Sequence, residues 1–97
     1  MDSGPQILNV LVTEDLAAAL LVRRGGSIVA RNVRIGHDEI DLVADIDGRR
    51  VAVEVKTRVG TAAADEFSPE QARRLRRAAT AVSLRIDRCD LIAVRIG

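Results

Sequence analysis

Apolar and polar residues alternate along two runs of the chain that are joined by Asp47-Gly48. An Asp-Gly pair between two alternating runs is typical of a β-hairpin closed by a two-residue type I′ turn. Such a turn fixes the register of the two strands, and in this register apolar residues face apolar residues along the ribbon. It also sets Asp41 directly opposite Glu54, with both side chains on one face.

A long helix is predicted ahead of the hairpin, over about residues 4–24. Residues 3–6, Ser-Gly-Pro-Gln, fit a capping box with proline in the first turn, and Gly25-Gly26 fits a helix stop. The early stretch ILNVLV is rich in β-branched residues and could form a strand instead.

The rest of the chain predicts two further strands and a second helix. Residues 27–34 form a first strand and 35–38 a turn, while 57–67 have the small and polar composition of a loop. Residues 68–71 form a capping box at the start of a helix with one apolar side. Residues 90–96 are nearly continuous in apolar residues, which favours a central last strand. The resulting order is αβββαβ, an α/β fold.

At 97 residues the chain has the size of one small domain, and we expect residues 1–97 to form a single unit. Hydrophobic residues make up 47% of the sequence but only Phe67 is aromatic, so the core must be aliphatic. The net charge of +1 excludes a polycation, and a nucleic-acid partner cannot be argued from it. The basic residues are almost all arginine, however, and arginine suits bidentate contact with phosphate.

The chain has a single cysteine, Cys89, which rules out an internal disulfide and is typical of a reducing, intracellular compartment. The N-terminus lacks the basic region and the cleavage site of a secretory signal, and no apolar run approaches the roughly 20 residues of a membrane span. We therefore expect a cytoplasmic protein that makes no membrane contact.

Folding alone does not explain the acidic pair Asp41 and Glu54. Like charges directly opposite each other on neighbouring strands cost roughly 0.2–1 kcal/mol. A hard divalent cation bound between the two acids would turn their repulsion into attraction. Mg²⁺ typically takes one or two protein carboxylates and completes its shell with water and phosphate. Lys56 shares the face of Glu54, because strand side chains repeat every second residue. The alternatives are a solvated polar face and a bulge that moves Asp41 off Glu54.

A further carboxylate, Glu14, lies in the middle of an apolar stripe on the first helix. The stripe consists of Ile7, Val10, Ala17, Ala18 and Leu21. Its two alanines leave room for close approach to a sheet, which could bring Glu14 toward Asp41 and Glu54. A lone buried acid is costly unless it is paired or binds a metal. In the alternative, Glu14 emerges at the rim of the helix contact.

The segments ARNVR, EIDLVA and VAVEVKTR occur in this order with short gaps. They resemble the YraN-type family of small bacterial proteins, and the resemblance extends from about Thr13 to Val94. That family is similar to the restriction-endonuclease-like PD-(D/E)XK nuclease superfamily, including the archaeal Holliday junction resolvases. The resemblance implies an αβββαβ core in which a mixed central sheet is flanked by helices.

Carried over position by position, the resemblance implies a set of catalytic residues. Asp41 matches the metal-binding aspartate of the superfamily, and Glu54 and Lys56 match its acid-x-lysine pair. Glu14 matches the first-helix glutamate, and Glu39 also falls on the motif as an auxiliary residue. The implied chemistry is hydrolysis of a DNA phosphodiester with Mg²⁺ or Mn²⁺, and the metal ligands would be Asp41, Glu54 and Glu14.

Three positions depart from the pattern of the family. Thr13 and Asp38 stand where glycine is usual, and Asp38 adds a negative charge near a site that would receive phosphate. Gln71 stands where family members often carry a lysine on the second helix, and glutamine is acceptable there as an auxiliary residue in some related nucleases. Relatives also generally continue past the last strand.

The expected partner is double-stranded or branched DNA. Arginines would contact its backbone, namely Arg58, Arg73, Arg74, Arg76 and Arg77. A solvated helix face would carry the same second-helix arginines. An apolar first helix on so small a domain suggests a homodimer. The rival function is a catalytically inactive nuclease-like module that binds nucleic acid or a protein partner.

Overall fold

The computed structural model describes residues 3–59 and 68–96, with the side chains of 13–57 and 68–94. The secondary structure follows the predicted order αβββαβ. The elements are α1 (Ser3–Arg23), β1 (Ser27–Ile35), β2 (Asp38–Ile46), β3 (Arg49–Val59), α2 (Pro69–Ala81) and β4 (Arg88–Ile96).

The four strands form one mixed sheet in the order β1-β2-β3-β4, with a helix on each face. Strands β1, β2 and β3 are antiparallel neighbours, whereas β3 and β4 are parallel. The core under α1 is built from Ala17, Ala18, Leu42, Val51 and Val53. The core under α2 is built from Ile40, Val43, Ala52, Leu75 and Ala78. The predicted α/β fold with a mixed sheet flanked by helices is confirmed.

Strand β4 lies at an outer end of the sheet in the described part of the chain, so the prediction of a central last strand is wrong. Its apolar residues are explained by the two helices instead. Ile92 packs against the core under α1, and Cys89 packs against the core under α2. A strand covered on both faces needs apolar residues at successive positions even when only one of its edges is paired.

The hairpin of β2 and β3 has the predicted turn, and it has the predicted register from the turn as far as Leu42 and Val53. Asp47 and Gly48 both have positive φ angles, of 51° and 78°, as a type I′ turn requires. The ladder begins at the pair next to the turn, Ile46 and Arg49. At the next pair, Arg50 donates from Nε to Asp45 Oδ1 at 2.8 Å, an ion pair across the two strands.

Helix α1 includes the stretch that could have been a strand, and it ends at the predicted glycines. Gly25 has a φ of 90° and donates its N–H to the carbonyl of Val22, while Gly26 donates to the carbonyl of Leu21 at 2.9 Å. This pair of bonds is the Schellman arrangement that closes a helix C-terminus. In residues 3–59 and 68–96, neither helix combines the length and the apolar character needed to cross a membrane.

The predicted loop over residues 57–67 is corrected at its start. Residues 57–59 continue β3, because they pair with residues 94–96 of the parallel strand β4. The remainder of that segment, with Phe67, lies outside the described residues.

Helix α2 begins with the predicted capping box. The Ser68 hydroxyl accepts from the Gln71 N–H at 3.1 Å, and Gln71 Oε1 accepts from the Ser68 N–H at 3.2 Å. The N–H groups at the start of a helix have no preceding turn to accept their hydrogen bonds. The capping box satisfies two of them. Gln71, expected as an auxiliary site residue, contributes its side-chain oxygen to this cap.

Replacing Ser68 with alanine should lower the free energy of unfolding by about 1 kcal/mol, because an N-cap hydroxyl is lost while the rest of the helix is unchanged. Urea denaturation measures the difference. Ser83→Ala, at an exposed serine just past the end of α2, is the matched control and should leave the midpoint within error. Equal losses in the two variants would contradict the capping role.

Candidate functional site

Strands β2 and β3 separate at Asp41. Their ladder ends at the pair Leu42 and Val53. One residue further, Asp41 Oδ2 accepts a hydrogen bond from the Val55 N–H at 2.8 Å. A carboxylate thus takes the backbone donor of β3 just beyond the end of its ladder with β2. The predicted direct pairing of Asp41 with Glu54 stays a prediction, since the ladder stops one pair before it.

The alternation of side chains in β2 breaks at the same residue. Leu42 belongs to the core under α1, whereas Ile40 belongs to the core under α2. Residues two apart in a regular strand point to the same face, so the strand must turn over between them. Asp41 is the residue between Ile40 and Leu42, and it therefore lies where the two faces of the sheet exchange.

Helix α1 is fixed to β3 next to this point. Thr13, only 1% exposed, shares a hydrogen bond of 2.9 Å between its hydroxyl and that of Thr57. A glycine at position 13 would have no hydroxyl for this contact. The bond holds the segment of α1 that carries Glu14 against the end of β3, and Glu14 itself is half-buried there.

Burial raises the pKa of three carboxyls in this region, and the charges of neighbouring acids raise it further. Burial raises the pKa of Glu14 most, and the charges of Asp41 and then Glu39 raise it further. Burial also raises the pKa of Asp41; the hydrogen bond from Val55 opposes the shift. The pKa of Glu54 is raised by burial and then by the charge of Asp41. Asp41 therefore acts on both Glu14 and Glu54, and the site accumulates negative charge that water screens incompletely.

Two cationic side chains stand on the side of Glu54. The charges of Lys56 and Arg74 lower the pKa of Glu54 and so oppose the effect of burial. Glu54 and Arg74 line a cavity of about 170 Å³, together with Glu39 and Leu75. His37 and Asp38 complete the lining, so three carboxylates and one guanidinium border this cavity.

The unexpected acid Asp38 is neutralised within the fold. Arg77 donates to both of its carboxylate oxygens, each at 2.9 Å. This bidentate pair holds the pKa of Asp38 below its usual value. Arg77, expected to contact nucleic acid, is thus engaged in a pair that ties α2 to the start of β2. Arg73, Arg74 and Arg76 are exposed on the same helix.

The contacts that position the site were only partly visible in the sequence. The acids were found by their register, but the hydrogen bond from Val55 to Asp41 and the pair of Thr13 with Thr57 were not. Both are contacts between residues far apart in the chain, for which no local pattern exists. The side chain of Arg58 lies outside the described residues.

The donor set suits a hard divalent cation bound by a small number of carboxylates. Asp41 and Glu54 supply anionic oxygens at the separated end of two strands, and Mg²⁺ typically binds one or two such groups and keeps several waters. In the described ranges, no group of three or more His, Cys, Asp or Glu side chains is arranged to hold a metal ion together. The candidate metal site is therefore the pair Asp41 and Glu54, with Glu14 beside it.

The sequence also matches known proteins. The profile of a family described as "Uncharacterised protein family UPF0102" matches residues 13–94. A UPF0102 protein of Corynebacterium efficiens is 51% identical over 72 residues, which are 71% of this chain and 59% of the relative. One of Aquifex aeolicus is 39% identical over 66 residues, or 68% of this chain and 64% of the relative. The chain thus covers less than two thirds of the length of these two relatives.

A third relative extends the match over nearly the whole chain. The UPF0102 protein of Chlorobium phaeobacteroides is 33% identical over 105 aligned positions, which cover 99% of this chain and 82% of the relative. The matched region includes every acid of the candidate site, from Glu14 to Glu54.

Neutralising one acid of the cluster should stabilise the protein at pH 7 in the absence of metal. For Asp41→Asn or Glu54→Gln we expect a gain of roughly 0.2–1 kcal/mol in the free energy of unfolding, the cost of opposed like charges. Because the folded-state pKa values are raised above the ordinary 3.8 and 4.5, the folded protein binds these protons more tightly than the unfolded chain. The wild type therefore loses stability as pH rises from about 4 through the raised pKa values of the folded state. The stability gained by each variant relative to the wild type grows over the same pH range.

Thermal melts from about pH 4 to pH 7 measure the stability of each variant relative to the wild type. Asp45 on the same strand offers a control in which removing the charge should lower stability. Asp45 pairs with Arg50, which lowers its pKa, so its stabilising contribution is present near neutral pH and is lost as pH falls. Asp45→Asn should therefore destabilise the protein at pH 7. If Asp41→Asn destabilised it in the same way, the acids would not form a repulsive cluster.

Proposed function

Because the chain belongs to the UPF0102 family and carries a repulsive carboxylate pair beside two cations, we propose that it is a metal-dependent nuclease that hydrolyses DNA phosphodiesters. The observation that carries the proposal is the placement of Asp41 and Glu54 where two strands separate. A fold gains nothing from charges that repel each other there, whereas a bound dication would turn the repulsion into attraction. The proposal includes membership of the PD-(D/E)XK superfamily, with a likeness to the archaeal resolvases.

The order and chemistry of the residues support that membership. The aspartate lies on the second strand, and the glutamate and lysine lie two residues apart on the third, as in the acid-x-lysine motif. The element order αβββαβ and the mixed sheet are compatible with the same core. Glu14 comes from the first helix, where the superfamily often places an additional acid.

Asp41 and Glu54 would hold Mg²⁺ or Mn²⁺, with Glu14 acting directly or through water. When bound, such an ion polarises a phosphate oxygen and lowers the pKa of a coordinated water. The Val55 N–H fixes one oxygen of Asp41, so that the carboxylate keeps its orientation. Glu39, which is exposed and acts electrostatically on Asp41, is an auxiliary anion at the rim.

Lys56 and Arg74 would supply positive charge where the reacting phosphate gains negative charge. Lys56 is half-buried on the strand that carries Glu54, which limits the positions its ammonium can take. A preorganised cation at this place stabilises a developing phosphorane more than a mobile one does. Arg74 reaches the cavity beside Glu54 from α2, where it can contact a phosphate oxygen.

The substrate proposed is double-stranded or branched DNA bound through its backbone. Arg73, Arg74 and Arg76 on the exposed side of α2 provide phosphate contacts, with Arg58 as a further candidate. The sequence has one aromatic residue, so recognition by base stacking is disfavoured. Binding should weaken as salt rises, since phosphate contacts release counterions.

We propose that the protein acts as a homodimer in the cytoplasm. Helix α1 exposes three large apolar side chains, Leu16, Leu20 and Val22, with exposed fractions of 54%, 38% and 53%. A second copy placed on this helix would cover them, and paired subunits suit a two-stranded or branched substrate.

The second candidate is a nuclease-like module that binds DNA or a protein partner without cutting. It is favoured by the finding that the described residues form no group of three or more metal-binding side chains. The two candidates share the fold and the arginines of α2, and they differ in metal dependence and turnover.

Cleavage separates the two candidates. The protein should nick supercoiled and four-way-junction DNA in Mg²⁺ or Mn²⁺, and Glu54→Gln should slow nicking by at least about a hundredfold. Asp45→Asn, a charge removal on the same hairpin but outside the site, is the matched control and should retain the rate. Binding without metal-dependent nicking, or equal nicking by Glu54→Gln and the control, would reject the enzyme and leave the binding module.

Metal binding can be measured without DNA. Mg²⁺ should raise the melting temperature at pH 7, by an amount equivalent to about 2.7 kcal/mol at a concentration a hundredfold above Kd. Asp41→Asn and Glu54→Gln should lose the shift. Sodium chloride at matched ionic strength controls for screening of the acids. An unchanged melting temperature at millimolar Mg²⁺ would refute a preformed metal site.

A further inference from the structure

Asn32 has a backbone conformation that is rare inside a strand. Its φ is 52°, although it lies in the middle of β1 (Ser27–Ile35). Among the described residues other than glycine, one more has a positive φ, Asp47, and the type I′ turn accounts for it. No turn is present at Asn32, because the residues on both sides of it are paired with β2: Arg31 with Leu42, and Val33 with Ile40.

The unusual residue faces the place where β2 turns over. The pairs that flank it leave Asn32 opposite Asp41. The two partner residues, Ile40 and Leu42, pack into cores on opposite faces of the sheet. The burial pattern of β1 shows the same reversal. Arg31 and Asn32 are exposed in succession, and the alternation of exposed and half-buried residues resumes after them. Both strands therefore reverse their faces at this step, and β1 has a separate register shift between Ile28 and Ala30.

The reversal decides which helix Asp41 approaches. In a regular strand Asp41 would share the face of Val43, which lies under α2, and would point away from α1. With the reversal, Asp41 is turned away from the face of Val43, and its charge raises the pKa of Glu14 on α1 and of Glu54 on β3. Arg31, which precedes the reversal, faces α1 by the ordinary alternation of the strand and binds Asp15 there at 2.7 Å.

We propose that Asn32 is a positioning residue, whose left-handed backbone turns β1 and β2 over so that Asp41 is presented between Glu14 and Glu54. The effect of Asn32 on metal binding rests on the proposed function, whereas its effect on the position of Asp41 does not. Asparagine is suited to the role because, after glycine, it is one of the residue types that best tolerate this conformation. Its side chain is exposed, so the backbone conformation and not packing is the property that matters.

The test compares the same substitution at two left-handed positions. Valine strongly disfavours a positive φ, so Asn32→Val and Asp47→Val place comparable strain beside the site and at the far end of the hairpin. Asn32→Gly permits the conformation and is the rescue variant. Asn32→Ala and Asp47→Ala form a milder pair with the same expected pattern if either valine variant does not fold.

Two quantities are measured in each variant. The first, without metal, is hydrogen exchange of the Val55 amide relative to that of Val53, which reports whether Asp41 still accepts its bond. The second is the Mg²⁺ concentration that gives half of the thermal shift. Asn32→Val should speed Val55 exchange and raise the Mg²⁺ midpoint, each by about tenfold. Asp47→Val and Asn32→Gly should keep both at the wild-type value.

The outcomes distinguish this inference from the proposed function. The positioning role would be overturned if Asn32→Val and Asp47→Val had the same rate of Val55 exchange and the same Mg²⁺ midpoint. Losses in Asn32→Gly equal to those in Asn32→Val would overturn it too, since the side chain and not the backbone would then matter. A wild type that shows no Mg²⁺ shift, while Val55 exchange rises in Asn32→Val alone, would uphold the positioning of Asp41 and reject the metal site.

Discussion

The hydrogen bond from the Val55 N–H to Asp41 is the contact around which the site is organised. Up to Val53, β3 is paired with β2 on one edge and with β4 on the other. Beyond it, β2 offers a side chain in place of its backbone, so the two strands separate without leaving the Val55 donor unpaired. An unpaired N–H at a half-buried position would cost free energy, and the carboxylate avoids that cost while opening the sheet.

Where the strands separate, the electrostatics of the acids is the basis of the proposed metal site. Glu14, Asp41 and Glu54 come from three different elements, and burial raises the pKa of each. When ionised, Asp41 repels Glu14 and Glu54, so these acids cost stability in a chain of 97 residues. The aliphatic core under both helices must offset this repulsion. Such local cost is expected where a protein holds charges ready for a ligand, since strain persists only where surrounding structure maintains it.

Local signals predicted the parts of the fold that local chemistry determines. Asp47-Gly48 fixed the turn and the register, and residues 68–71 fixed the start of α2, because each depends on contacts within a few residues. The position of β4 was missed, since an apolar run records burial and not the number of neighbouring strands. A bulge that moves Asp41 off Glu54 was one alternative, but the reversal of both strands was not predicted, because a strict period of two does not accommodate a left-handed Asn32. The acids themselves were identified from register, and their approach to one another required the fold.

Asp38, whose negative charge disfavours phosphate, supports the candidate site through its pair with Arg77. Asp38 begins β2, the strand that carries Asp41, and its bidentate bond fixes α2 at that point. Arg74 lies three residues before Arg77, on the same side of the helix. Fixing Arg77 therefore also fixes the approach of Arg74 to Glu54. The negative charge of Asp38 is paired within the fold, and Arg74 adds a positive charge to a cavity that Asp38, Glu39 and Glu54 also line.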